Sequence, residues 1–357
     1  MPASRFTQTG NYKTTYPQDS SVFATSAEFV SLGVLLLVLL VIPFLIPSSN
    51  LKTLDTILVY AIAVLGLNIT TGYTGLINVG QAAFLGVGAY TAAIFATKFG
   101  LPFYLCIPLG GVVSAIVGGI VGLPSMRLKH LYLAIATIAF QQIFRWGVGH
   151  SDLLQQGQSI NMPAPVIFGT EIGYLLHNKF WYYVALFFLI VLALIWRNLM
   201  RSKFGRSLVA VRDNDRAADA MGINPGTTKV TAFILGSFYA GIAGALFAYL
   251  YRGAQVEDYT LAVSIKFLAM AIVGGLGSLP GAFFGAAFLQ LLDDGATSLG
   301  AWLSGILPQI QGVDIGTAMR PLTFGLVIIL FLIFEPRGLA NFWRLIRSYF
   351  KTFPFKY

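Results

Sequence analysis

The chain has 357 residues, of which 56% are hydrophobic and 10% charged, whereas roughly a quarter of an ordinary soluble protein is charged. With a mean hydropathy of +0.75, that composition excludes a soluble globular domain and marks a polytopic membrane protein of all-α class. The formal net charge of +9 does not indicate a nucleic-acid partner, because Lys and Arg gather in loops between apolar runs, as the positive-inside rule requires.

Residues 1–28 are polar and carry Arg5 and Lys13. No apolar stretch with a small-residue cleavage site precedes the first long apolar run, so a cytoplasmic tail leading into an uncleaved helix is expected. Crossing the hydrocarbon core takes about 20 apolar residues. Runs that meet or approach this lie at Phe29 to Ile46, Leu54 to Ile69, Leu76 to Thr97, Phe103 to Leu123 and Leu131 to Val148. Others follow at Phe180 to Trp196, Val230 to Tyr251 and Pro321 to Phe334, and Leu261 to Leu292 is long enough for two short helices. The transmembrane domain is thus expected over 29–336, interrupted by a polar loop at 197–229 and followed by a basic cytoplasmic tail at 337–357. Cys106, the single cysteine, lies in an apolar run and reads as a small buried hydrophobe.

Basic residues set the orientation. Arg127, Lys129, the 197–229 loop and the C-terminal tail belong inside, whereas Gly149 to Lys179 and Asp293 to Thr317 are poor in Lys and Arg and belong outside. If the run after the polar loop travels outward, Leu261 to Leu292 must enter and leave on one side. The place to turn is Gly274, Gly275, Gly277 and Gly281, with Pro280 among them. Such a turn at membrane depth must be covered by protein or line a wet cavity. About ten membrane segments result, with both termini cytoplasmic. A second Gly-rich lead-in, Gly72 to Gly86, repeats the pattern of Gly-Leu, a later glycine, then Ala-Phe-x-Gly. Either an internal repeat of broken helices, as in many transporters, or glycine bias alone accounts for the match.

The stretch Arg197 to Lys229 carries seven Lys or Arg and is the part expected to touch another protein. Phe204 to Arg212 and Asp215 to Met221 can form two short helices, with Asp213 or Asn214 as N-cap of the second and Gly222 ending it. Arg212, Arg216 and three Asp supply mixed charge suited to fixing register. A hairpin lying on anionic lipid is the alternative.

Tyr73, Thr74, Asn78 and Gln81 cluster on the first Gly-rich lead-in. They either face a water-filled translocation path or hydrogen-bond neighbouring helices. Lys266 stands in an apolar stretch, with snorkelling to the interface its simplest fate. Asp293 and Asp294 read as solvated at an external edge. His130, His150 and His177 lack metal-like spacing, so no metal site is expected. There is no cluster for catalysis and no G-x-x-x-x-G-K-[ST] loop, so any dependence on ATP must come from another polypeptide.

Four motifs in order resemble the LivM-type permeases of branched-chain amino acid ABC importers. They are Gly72 to Ala93, Gly205 to Leu208 with Ala217 to Asn224, Gly274 to Gly281, and Glu335-Pro336-Arg337-Gly338-Leu339. The resemblance implies a permease without its own enzymatic activity, for branched-chain or other neutral hydrophobic amino acids, in a bacterial plasma (inner) membrane. It implies pairing with a second permease of LivH type, two cytoplasmic ATP-binding subunits that hydrolyse ATP, and an external substrate-binding protein. This chain itself would bind no cofactor. It also implies a coupling helix against the ATPase, carried over onto Arg212, Asp213, Asn214, Arg216, Ala217, Ala218, Ala220, Met221, Gly222, Ile223 and Asn224. A urea permease of similar sequence, or a self-sufficient ion-coupled carrier with buried carboxylates in its spans, is the competing expectation.

Overall fold

The protein is described by a computed structural model over residues 26–126, 131–151, 158–163, 166–167, 170–171, 174–306, 315–334, 338–342 and 344–345. Most of both expected tails, Arg127, Lys129, His130 and the Glu335-Pro336-Arg337 motif lie outside those residues. Helix α1 (Ser26–Leu45) leads into α2 (Ser48–Leu67), whose end widens into a π-helical turn, Asn68–Tyr73. After an irregular stretch come α3 (Gln81–Lys98), α4 (Phe103–Gly122) and α5 (Leu131–His150). Then follow α6 (Tyr174–Arg201), the short α7 (Lys203–Asp213) and α8 (Asp215–Ala220), and α9 (Pro225–Leu250). Last come α10 (Leu261–Gly274), α11 (Leu279–Ile306) and α12 (Ile315–Phe334).

Small departures from an all-α chain occur in the connections. Strands β1 (Ile160–Asn161) and β4 (Gly253–Ala254) pair antiparallel, as do β2 (Val166–Ile167) and β3 (Thr170–Glu171). Four segments among the described residues are long and apolar enough to cross a bilayer: Asn50–Tyr73, Phe103–Met126, Asn178–Arg201 and Pro225–Leu250. Helix α10 is shorter.

Helix α9 organises the core. From Tyr239 to Leu250 every residue is buried, which is why this segment is apolar all round and shows no single stripe. It packs chiefly on α4, α3 and α2. Association inside lipid has no hydrophobic drive, so close backbone contact between small residues supplies the attraction. A Cβ on Gly88 of α3 would run into the backbone of Gly241 in α9, and one on Gly241 would lie 2.6 Å from the carbonyl oxygen of Gly110 in α4. Helices α4 and α6 instead leave much of their surface uncovered, with Ile116, Ile120 and Phe187 facing outward.

Two boundaries differ from expectation for physical reasons. The run from Leu76 does not start a helix; helical structure begins only at Gln81, after Gly75 turns the chain at φ +71°. Helix α11 does not stop at Leu292 but continues through Asp293 and Asp294 to Ile306, since both carboxylates find partners inside the fold.

Candidate functional site

The polar loop is built by a relay of caps. Ser202 accepts from the Phe204 amide at the start of α7. Asn214 accepts from the Arg216 and Ala217 amides, at 3.0 and 3.1 Å, at the start of α8. Asn224 accepts from the Thr227 amide at the start of α9, with Pro225 at the first position, where its missing donor costs nothing. Gly222, at φ +82°, closes α8, and the Ile223 amide donates back to the Ala218 carbonyl, the 6→1 bond of a Schellman-type end.

This geometry sorts the coupling candidates into two sets. Arg216, Ala217, Asp219, Ala220, Met221 and Gly222 are exposed, and Met221 is 85% accessible. Ala218 is 4% accessible and turned into the chain itself. Asp213 and Asn224 are exposed and Ile223 is half-buried. Asp215 pairs with Lys229 of α9, which anchors α8 on the helix that follows it. Arg212 ion-pairs with Asp213 at 3.2 Å through Nε, while its Nη1 donates to the Gly72 carbonyl at 3.0 Å.

Gly72 belongs to the second feature, the meeting of two interrupted helices. Helix α10 ends at Gly274, Gly275 (φ +112°) and Gly277 (φ +75°) reverse the chain, and α11 starts at Leu279. Asn68 of the π-helical turn grips this reversal: its Oδ1 accepts from the Gly277 amide and its Nδ2 donates to the Ser278 carbonyl, both at 3.2 Å. The Ser278 hydroxyl donates to the Gly275 carbonyl and accepts from the Gly281 amide. Asn68 has the pattern of interhelical glue.

Of the four path candidates, Tyr73 packs edge-on to Trp196, with ring centroids 5.4 Å apart, and the Thr74 hydroxyl donates to the Ile69 carbonyl. Asn78 and Gln81 are buried and bonded to each other, Asn78 Nδ2 donating to Gln81 Oε1 at 3.1 Å. Gln81 Nε2 also donates to the Ala63 carbonyl and Asn78 Oδ1 accepts from the Gly80 amide. The start of α3 would otherwise leave amide donors bare in a water-poor setting. Its amides instead reach side chains of other helices: Val79 to Thr137, Ala82 to Ser264 and Ala83 to Gln141. Gln141, which also bonds Ser264 and the Tyr259 carbonyl, is the residue that sequence reasoning missed here. A glutamine pair amid the apolar run of α5 was its only signal.

A third polar group joins α2, α10 and α11. Lys266 does not stand alone: its ammonium pairs with Asp293, bonds Gln290 Oε1 at 3.3 Å and lies 5.3 Å from the centre of the Tyr60 ring. Asp294 accepts from Thr53 at 2.8 Å and from Gln290 at 3.2 Å, so neither aspartate is simply solvated. Asp55 of α2 is fully buried, and neither carboxylate oxygen has a hydrogen-bond partner. No group of three His, Cys, Asp or Glu suited to a metal ion occurs among the described residues.

Comparison with known proteins bears on the same region. Residues 50–334 match the family described as "Branched-chain amino acid transport system / permease component". The chain is 31% identical over 277 residues to the high-affinity branched-chain amino acid transport system permease proteins LivM of Salmonella typhimurium and of Escherichia coli. Each match covers 71% of this chain and 65% of the relative, so the chain spans about two thirds of those relatives' length. It is also 31% identical over 239 residues to a probable branched-chain amino acid transport permease protein LivH of Methanocaldococcus jannaschii, covering 64% of this chain and 74% of that one.

Proposed function

The chain belongs to the permease-component family of branched-chain amino acid transport systems, and on that footing we propose that it is the permease subunit of an ABC importer in a bacterial plasma (inner) membrane. In this reading it forms, with a second permease of LivH type, a path for branched-chain or other neutral hydrophobic amino acids. Two cytoplasmic ATPases supply the energy, an external binding protein delivers the substrate, and this chain binds no cofactor of its own. About ten membrane segments, with both termini inside, follow from the apolar runs and charge asymmetry. The path candidates remain Tyr73, Thr74, Asn78 and Gln81, and the reversal at Gly274, Gly275, Gly277 and Gly281 lies on the side from which α3 also starts.

The observation that carries the reading is the form of the polar loop. Between the apolar helices α6 and α9 the chain presents a short, capped helix with a small, exposed and charge-bordered face, formed by Arg216, Ala217, Asp219, Ala220 and Met221. Small side chains allow close approach to a cleft in a partner, and the flanking charges fix its register. The test is copurification from native membranes in mild detergent, followed by uptake of radiolabelled leucine in reconstituted vesicles. ATPase subunits should accompany the chain, and uptake should require ATP. Purified chain that accumulates substrate alone, driven by an ion gradient, would sink the reading in favour of a self-sufficient carrier, which the buried Asp55 would suit.

A further inference from the structure

The basic side chain at the end of α7 points into this chain, and that direction matters. We propose that Arg212 is a positioning residue that ties the polar loop to both interrupted helices, so that displacement of α7 and α8 reaches the two breaks through an intramolecular bond. The proposal rests on the functional reading above.

A chain of close contacts makes the tie. Arg212 Nη1 donates to the Gly72 carbonyl at 3.0 Å, across 140 residues of sequence. That carbonyl lies near the end of the π-helical turn, where helical carbonyls lose their internal donors. The aliphatic stem of Arg212 is seated too: a Cβ on Gly75 would lie 2.7 Å from Arg212 Cγ, at a φ of +71°. Gly72 in turn abuts the second break, since a Cβ there would lie 2.5 Å from the Gly277 nitrogen. Asn68 locks the two breaks together through its paired bonds to Gly277 and Ser278.

The competing role for Arg212 is direct docking on a partner subunit. Its pair with Asp213 joins two exposed side chains, and such pairs contribute little. The bond to Gly72 is partly buried and charge-assisted, which makes it the stronger of the two. π-Helical turns concentrate at functional sites because they give a helix a local point of adjustment. Here that point is held by a residue from the loop.

The experiment uses the complete importer, with its second permease, ATPases and binding protein, in proteoliposomes. ATPase retained on the complex and leucine imported per ATP hydrolysed are read together for Arg212→Ala. Retention should match wild type while leucine per ATP falls about tenfold, within the usual range for coupling between sites. Because Arg212→Ala also removes packing, Gly75→Ala probes the same contact from the opposite wall and should lower leucine per ATP as well. Normal coupling in either variant overturns the proposal, and so does loss of ATPase from Arg212→Ala, which would make Arg212 a docking contact. Wild-type complex that carries no ATPase would instead sink the functional reading, and this proposal with it.

Discussion

Asp258 sits in the 3-10 turn Val256–Tyr259 between α9 and α10, where burial pushes its carboxyl above the usual range and the neighbouring Glu257 adds to the effect. The fold therefore favours the protonated form. This contribution is fully present below the ordinary carboxylate pKa and is lost as pH rises through the raised folded value. Relative to Asp258→Asn, the wild-type protein in detergent should melt at progressively lower temperature as pH climbs through that window. A constant difference in melting temperature would contradict the burial argument. Individual side chains were also the least legible part of the sequence. Asp55, Gln141 and Ser264 look like minor polar interruptions of apolar runs, and only three-dimensional packing shows that Gln141 and Ser264 cap α3 while Asp55 is enclosed without a donor. Lys266 likewise looked alone because Asp293 lies 27 residues away, on a helix that sequence hydropathy ended too early.

Whole helices were easier to read. The apolar runs located α4 almost to the residue and the bodies of α2, α6 and α9, whose first turns begin five or six residues earlier than the runs, because length and hydropathy are properties of the run itself. Their ends were harder, since helices at an interface continue while their backbone and side chains still find partners. The expected N-cap choice between Asp213 and Asn214 resolves to Asn214, and side-chain reach alone decides it. The crossing of α3, α4 and α9 shows how densely these elements pack, and it yields a prediction. Gly241→Leu should cost about 3 kcal/mol or more, because overpacking at a backbone contact forces the helices apart. Thermal unfolding in detergent measures this, and an unshifted transition would mean that the helices do not touch at Gly241.

On the function proposed above, the exposed face of α8 matters most. Ala218, although part of the carried-over motif, is packed inside this chain, so an acidic residue there would disturb the loop before it could disturb a partner. Met221 and Ala217 are the informative positions. Met221→Asp should weaken ATPase retention at least about tenfold, a change of roughly 1.4 kcal/mol, while leaving membrane insertion and the melting transition intact. Wild-type retention in pull-downs would remove Met221 from the docking face. Family resemblance could point to this loop but not to its exposed side, because which residues a short helix hides depends on the helices beneath it.

The relay of caps has a mechanical corollary. Asn224 both closes the stretch after α8 and caps α9, so no slack separates the exposed short helix from a rod whose far half, Tyr239 to Leu250, is buried throughout. A shove on one must be felt along the other, and the strut that feels it runs past the crossing glycines to the far end of the helix.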